Sequence, residues 1–209
     1  MSIQTSLFTS NESSRLILND NGNVTLSEDF FCQTESNEIL KTLIEEIEWK
    51  QEYIRMYGKS IPIPRLTAWY GDNDKPYTYS GITMTPKGWH PVLLSIKNRI
   101  ESASDRVFNS VLLNYYRNGN DSVAWHSDNE TELGENPSIG SVSFGEPRKF
   151  SLKHKNPEHP NHKKPIDIQL THGSFLLMDG ECQSFWLHQI AKTKKKVGAR
   201  INLTFRFIG

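Results

Sequence analysis

The sequence predicts a mainly β fold with flanking helices (α+β), a double-stranded β-helix (jelly roll) core buttressed by N-terminal helices. Three observations lead there. Segments with helical periodicity lie in the first half of the 209-residue chain. After Asp105 the apolar pattern shortens to runs of a few residues, cut by Gly, Pro and Asn turns, as in sandwiches and barrels. A parallel α/β sheet needs a helix between successive strands, and the C-terminal half leaves little room for them.

Taken in order, MSIQTSLFTSNESSRL reads as a short polar tail without the basic start and apolar run of a secretory signal. Residues 36–49 form an amphipathic pattern, with Ile39, Leu40, Leu43, Ile44 and Ile47 on one stripe and Lys41, Glu45, Glu46 and Glu48 off it. Thr34 or Ser36 is the expected cap. A second helix is expected over 91–102, with Pro91 at its first position and Val92, Ile96 and Ile100 at helical spacing. From there Val111, Leu113 and Tyr115 alternate with Leu112, Asn114 and Tyr116. Further short strands are expected at 142–144, 150–154, 166–170, 174–178, 185–190 and 201–208. Residues 1–51 are thus a tail and a helix packing on the core, and 52–209 the main domain, with its jelly roll over 105–209.

Lys and Arg (24) balance Asp and Glu (24), so the chain is not uniformly basic. The charges are nonetheless segregated. Residues 34–52 hold six acids against two lysines, whereas 191–206 hold four lysines and two arginines with no acid, and 148–164 hold six basic residues against one glutamate. The C-terminal half can therefore present a basic face, although charge runs more often form solvated loops. Two cysteines, Cys32 and Cys182, are too few for a disulfide framework or a four-cysteine zinc site and suit a reducing, intracellular compartment: cytoplasm or nucleoid in a bacterium, nucleus in a eukaryote. No apolar run approaches the ~20 residues needed to span a bilayer. The group His154, His159 and His162 fits no standard zinc spacing and reads as a loop.

His126-Ser127-Asp128 is the first candidate for chemistry. Residues two apart on a strand share a face, so an imidazole and a carboxylate would converge and supply two ligands of a 2-His-1-carboxylate triad, leaving open positions on Fe(II). His188, 62 residues later in the apolar run FWLHQI, is the best third ligand, although a lone histidine in such a run is more often a satisfied core residue. Arg200–Arg206 alternates Ile201, Leu203, Phe205 and then Phe207 with Arg200, Asn202, Thr204 and Arg206. With no obvious acid nearby, two buried arginines call for an anionic partner. Their Cα atoms would stand roughly 20 Å apart at ~3.3 Å per residue, and long side chains folding inward could grip a short diacid. Read alone, the strand serves as well as an edge strand with one solvated face.

His126-x-Asp128, then His188, then Arg200 and Arg206, in this order and spacing, resembles the AlkB-type Fe(II) and 2-oxoglutarate-dependent dioxygenases. Pro64-Arg-Leu-Thr-Ala-Trp-Tyr-Gly-Asp72, Tyr77-Thr-Tyr-Ser-Gly81, Asn114-Tyr-Tyr116, Ser141-Val-Ser-Phe-Gly145 and Ala199–Arg206 look like signatures of the same family. The likeness runs from about Glu52 to Phe207. It implies a DNA-repair dioxygenase that uses Fe(II), O2 and 2-oxoglutarate to dealkylate N-alkylated bases. His126, Asp128 and His188 would hold iron and carry catalysis. Arg200 would meet the distal carboxylate of 2-oxoglutarate, Arg206 would sit near its chelating end, and Asn114, Tyr116, Asn202 and Thr204 would complete that pocket.

The resemblance also implies how substrate is reached. A base methylated on its pairing edge is flipped out or taken from a single strand, stacking between Tyr79 and His126, with Tyr77 as a wall and Glu130 at the base edge. Met56-Tyr57-Gly58 resembles the wedge of the branch that repairs duplex DNA, with Tyr57 filling the vacated stack. Arg65 joins the substrate-contacting set, and Lys153, Lys155, Lys194, Lys195 and Lys196 would meet phosphates, the first two from a loop. Residues 52–104 would form a nucleotide-recognition lid. The implied partner is alkylated DNA, duplex as well as single-stranded, bound by a monomer. The same chemistry on methylated RNA, or an iron-binding jelly roll that serves as a sensor without turnover, are the other readings.

Overall fold

The computed structural model describes residues 14–56, 58–72, 77–79, 82–84 and 86–209, with residues 56, 77–79 and 82–84 given by their backbone. In chain order the elements are β1 (Arg15–Asn19), β2 (Asn23–Ser27), α1 (Gln33–Glu46), β3 (Tyr53–Met56), β4 (Lys59–Pro62), β5 (Leu66–Gly71), β6 (Tyr77–Tyr79) and β7 (Ile82–Met84). They continue with α2 (Pro91–Ser104), β8 (Ser110–Tyr116), β9 (Val123–His126), β10 (Ile139–Gly145), β11 (Arg148–His154), α3 (Pro160–Lys163), β12 (Ile166–Leu170), β13 (Ser174–Asp179), α4 (Cys182–Phe185), β14 (Trp186–Ile190) and β15 (Arg200–Arg206).

A seven-stranded sheet runs β1-β2-β13-β10-β15-β8-β5 and a four-stranded sheet runs β12-β11-β14-β9; the hairpins β3–β4 and β6–β7 stand apart. Pairing within the two large sheets is antiparallel throughout. The large sheet is covered on both faces. On one, Val111, Leu113, Val142, Phe144, Ile201, Leu203 and Phe205 pack with Leu43 of α1 and Leu93, Ile96 and Ile100 of α2. On the other, Leu112, Ile139, Leu176 and Met178 meet Phe150, Leu152, Ile168, Trp186 and Ile190 of the smaller sheet. The expected jelly roll with helical buttresses is therefore the fold. Each of these large side chains, buried from water, contributes on the order of 1.5–3 kcal/mol of transfer free energy.

This layering decides the reading of β15. The strand lies between β10 and β8, and all seven of its residues are buried. The edge-strand alternative is thereby overturned. Ile201, Leu203 and Phe205 face the helices, so alternation sends Arg200, Asn202, Thr204 and Arg206 into the space between the sheets. Phe207, expected on the apolar face, lies past the strand end and is half exposed.

Other expectations need correction. Residues 1–51 are more than a tail and a helix, because β1 and β2 form a hairpin whose second strand pairs with β13 from Ser27↔Phe175 to Asn23↔Asp179. The turn signal is Asn21-Gly22, both at positive φ (46° and 114°), a conformation these residues adopt at least cost. A Cβ at Gly22 would also collide with the Cys182 backbone, so the turn seats α4. Helix α1 begins earlier than expected, at Gln33, with Cys32 rather than Thr34 or Ser36 as its cap and no side-chain capping bond. Ser36 Oγ instead donates to the Phe31 carbonyl at 3.2 Å. Helix α2 starts at Pro91 as expected, capped by His90 Nδ1, which accepts from Val92 N–H at 3.3 Å.

Candidate metal and co-substrate site

Strands β9 and β14 pair with His126 opposite His188, which brings the two rings to 4.2 Å between centroids. His126 Nδ1–H donates to the Ala124 carbonyl at 2.8 Å. That bond orients the ring and sets Nε2 3.9 Å from Asp128 Oδ1. His188 is buried, and burial first, then the neighbouring His126, pushes its pKa down to about 3. It is neutral near pH 7, the form that binds a metal.

Asp128 was expected to converge with His126 by strand alternation. The structure brings the groups together differently. β9 ends at His126 and Asp128 lies in the irregular stretch beyond. Two bonds hold it: its N–H donates to Gln183 Oε1 at 3.0 Å, and its Oδ1 accepts from Arg206 Nη2 at 2.9 Å. Burial pushes the carboxyl up, but the Arg206 guanidinium and the two imidazoles more than reverse this and hold it down at about 2. The expectation that no acid stands near the two arginines is corrected here: Arg206 is paired with Asp128, 78 residues away in sequence.

The ligand atoms of His126, Asp128 and His188 all lie within 4.8 Å of one another, and among the described residues no other His, Cys, Asp or Glu group of three does so. Two imidazoles and an ionised carboxylate at one end of a pocket fit a 2-His-1-carboxylate iron site. The pocket, ≈ 470 Å³ including its mouth, is lined by these three residues together with Asn114, Tyr116, Arg200, Asn202, Thr204 and Arg206. Every residue expected for metal or co-substrate therefore meets in one place. The register explains how: Arg200 lies opposite Tyr116 and Asn202 opposite Asn114 across β8.

Arg200 is 1% exposed. Its Nη2 donates to Ser143 Oγ at 2.9 Å, and its charge lies 5.2 Å from the centre of the Tyr116 ring. Nε and Nη1 are buried without a hydrogen-bond partner, and burial pushes the pKa down to about 10. A buried cation with unused donors aimed into a pocket fits a small carboxylate ligand such as 2-oxoglutarate. Ser141 was not assigned a role from sequence, nor was Ser143. Ser141 Oγ accepts from Asn202 Nδ2 at 2.8 Å, and their spacing of two in Ser141-Val-Ser143 was the available signal.

The substrate-side residues scatter more widely. Arg65 is buried in the wall of the same pocket, donating to Asn114 Oδ1 at 2.6 Å and to the Ser122 carbonyl at 3.2 Å. Glu130 is half-buried at the start of the turn Thr131–Leu133, with one carboxylate oxygen buried and unbonded. Lys153 lies on strand β11 rather than in the expected loop, its Nζ 4.7 Å from the Trp125 ring centre. Lys155 Nζ donates to the Gln183 carbonyl at 2.9 Å, which removes it from a purely phosphate-facing role. Lys194 and Lys195 are exposed between β14 and β15. Tyr77 and Tyr79 fall on β6, their side chains outside what is described, and Tyr57 lies outside the described residues.

Comparison with known proteins agrees with this geometry. The family model for the 2OG-Fe(II) oxygenase superfamily matches residues 23–206. Alpha-ketoglutarate-dependent dioxygenase alkB homolog 3 of Homo sapiens is 45% identical over 179 residues, covering 83% of this chain and 62% of that protein. DNA oxidative demethylase ALKBH2 of Homo sapiens is 36% identical over 184 residues, covering 85% of this chain and 70% of that protein; its Mus musculus counterpart is also 36% identical, with 77% covered. The solved structure of OsALKBH1 superposes with a TM-score of 0.62 at 18% identity, covering 90% of this chain and 99% of that one, a likeness of fold. The chain spans 62% of the length of the first of these relatives. With a family model matched over most of its length and relatives 36% identical covered to 70% and 77%, the chain belongs to the 2OG-Fe(II) oxygenase superfamily and, within it, to the AlkB homologues.

Proposed function

We propose that this protein is a DNA-repair dioxygenase that oxidatively dealkylates N-alkylated bases, of the 1-methyladenine and 3-methylcytosine type, with Fe(II), O2 and 2-oxoglutarate, releasing succinate, CO2 and an aldehyde. The observation that carries it is a His–Asp–His cluster sharing one pocket with the unsatisfied donors of buried Arg200. Membership of the superfamily and the DNA oxidative demethylases among the relatives favour a base in DNA as substrate.

When bound, iron and 2-oxoglutarate with O2 would supply the oxidation of the N-alkyl carbon. The chain's own part is placement and insulation. His188 stays neutral, Asp128 stays ionised beside Arg206, and His126 is held by its Nδ1 bond with Nε2 near Asp128, so the donor set suits a divalent ion. Arg200 would hold a carboxylate of the co-substrate, with Asn114, Tyr116, Asn202 and Thr204 lining the same pocket. Leu112, Val123, Phe150, Met178 and Ile190 keep water from the reacting end. The test is mass spectrometry of oligonucleotides bearing 1-methyladenine or 3-methylcytosine after incubation with iron, ascorbate and 2-oxoglutarate. We expect loss of the methyl group with matching succinate. Succinate release that never depends on a methylated nucleic acid would sink the reading, and methyl loss confined to RNA would redirect it to the RNA substrate.

On the substrate side, a recognition lid within 52–104 would be built from the hairpins β3–β4 and β6–β7, which stand apart from the two large sheets, whereas β5 and α2 of the same stretch belong to the large sheet and its helical cover, so the jelly roll is not confined to 105–209. Tyr77, Tyr79 and Glu130 would receive the flipped base, Lys153, Lys194 and Lys195 the phosphates, and Tyr57 the gap in the stack. Duplex as well as single-stranded DNA would be bound, by a monomer, inside the cell. Tyr57→Ala is then expected to slow repair of duplex substrate severalfold more than of single strands, read as kcat/KM on matched oligonucleotides. Equal losses on both would remove the wedge.

A further inference from the structure

We infer that Gln183 is a positioning residue for the metal site, an inference that rests on the reading of His126, Asp128 and His188 as ligands of a divalent ion. Two of these ligands are fixed by the strand ladder, since His126 and His188 face each other across β9 and β14. Asp128 has no such support, because it lies two residues beyond the end of β9. Its backbone N–H is held by the side-chain carbonyl of Gln183 at 3.0 Å.

Gln183 is 1% exposed. A glutamine in such a place loses hydration that an apolar residue of the same size would not, so its retention calls for a partner. Both ends of the amide have one: Oε1 accepts from Asp128, and Nε2 points to Met178 Sδ at 3.6 Å, which fixes the amide orientation. The residue sits on α4, the single turn that leads into β14, five positions before His188. Gly22 packs against the Cys182 backbone beneath that turn, and Lys155 Nζ bonds the Gln183 carbonyl. Asp128 is thus pinned from both ends, its N–H by Gln183 and its carboxylate by Arg206. One side chain couples the segment carrying the aspartate to the strand carrying the second histidine. Without that acceptor the buried N–H of Asp128 must seek another partner, and the carboxylate swings with it.

The test is titration of the iron-free, full-length protein with Co(II), read by its visible d–d absorption, alongside the thermal midpoint of the metal-free form. Gln183→Met keeps the length and removes the acceptor. It is expected to weaken Co(II) binding by about tenfold or more, equivalent to roughly 1.4 kcal/mol, and to alter the band pattern. Gln183→Asn, polar but one methylene short of Asp128, is expected to behave alike and serves if the methionine variant fails to fold. Gln183→Glu keeps an acceptor at the same reach and is expected to restore affinity and spectrum. Wild-type Co(II) affinity and spectrum in the methionine or asparagine variant overturns the inference. So does a loss that the glutamate variant shares and that merely follows the thermal midpoint. Failure of the wild type to bind Co(II) is a separate result: it removes the ligand assignment itself, and this inference with it.

Discussion

Asp128→Ala is expected to abolish iron-dependent turnover and also to destabilise the metal-free protein by about 3–5 kcal/mol, the usual cost of removing one partner from a buried ion pair. Asp128 carries two loads. It supplies the carboxylate of the triad, and it is the acid that faces Arg206, with the two side chains only 1% and 2% exposed. His126→Ala separates the loads. The His126 ring is 25% exposed and its ring bond goes only to the carbonyl of Ala124, so its loss should remove turnover while leaving denaturant stability nearly unchanged. Urea unfolding of the two metal-free variants, beside single-turnover succinate assays, checks both halves. Normal turnover in either variant removes the metal assignment. Wild-type stability in Asp128→Ala removes the ion pair as a structural element.

The same pair sets an acid limb with a definite sign. The Asp128 carboxyl is held at about 2, below its ordinary 3.8, by Arg206 and the imidazoles working against burial. A depressed carboxyl contributes stability that is complete above its unfolded value and fades as the pH falls toward the folded one. Between roughly pH 4 and 2 the wild type should therefore lose stability that an Asp128→Asn variant never had.

The parts of this molecule that sequence shows are those whose signal is local. β15 was readable because seven residues alternate strictly between large apolar and polar side chains, and the two-layer packing then obliges the polar ones to face a common interior. α2 was readable from Pro91 and a helical stripe. What escaped is non-local or short. The partner of Arg206 is 78 residues upstream, and only the closure of the sandwich brings it near. His126 and Asp128 were the right residues for an incomplete reason: strand alternation holds for neither the end of β9 nor the stretch after it, and side-chain bonds from Arg206 and Gln183 complete the convergence. Gln183 lies on a four-residue helix, too short for any periodicity to mark it. The β1–β2 hairpin carried a turn signal in Asn21-Gly22, but five-residue strands beside a polar tail gave little contrast.

Arg200→Met should separate folding from function with opposite signs. Arg200 is a cation enclosed between Tyr116 and Ser143, with no carboxylate bonded to it among the described residues and with Nε and Nη1 unsatisfied. Burial has already pushed its pKa down to about 10, a sign that the folded protein alone holds this charge at a cost. Replacing it with an apolar side chain of similar length relieves that cost, so the metal-free, ligand-free variant is expected to be as stable as the wild type or more so. The co-substrate tells the other half. In the wild type, 2-oxoglutarate with Co(II) should raise the thermal midpoint by mass action; in Arg200→Met that rise should vanish, while binding of DNA stays near wild type. Arg200→Lys keeps the charge and loses the fork, so it should bind 2-oxoglutarate roughly 10- to 100-fold more weakly, as expected for a loss of about 1.5–3 kcal/mol in charge-assisted hydrogen bonding. Were Arg200→Met to lose several kcal/mol of ligand-free stability, the guanidinium would be a structural strut, and the diacid pocket would have to be sought elsewhere. A buried guanidinium with unsatisfied donors is explained if its counterion arrives with the reaction, and the paired measurement of stability and ligand response is what separates that case from a strut.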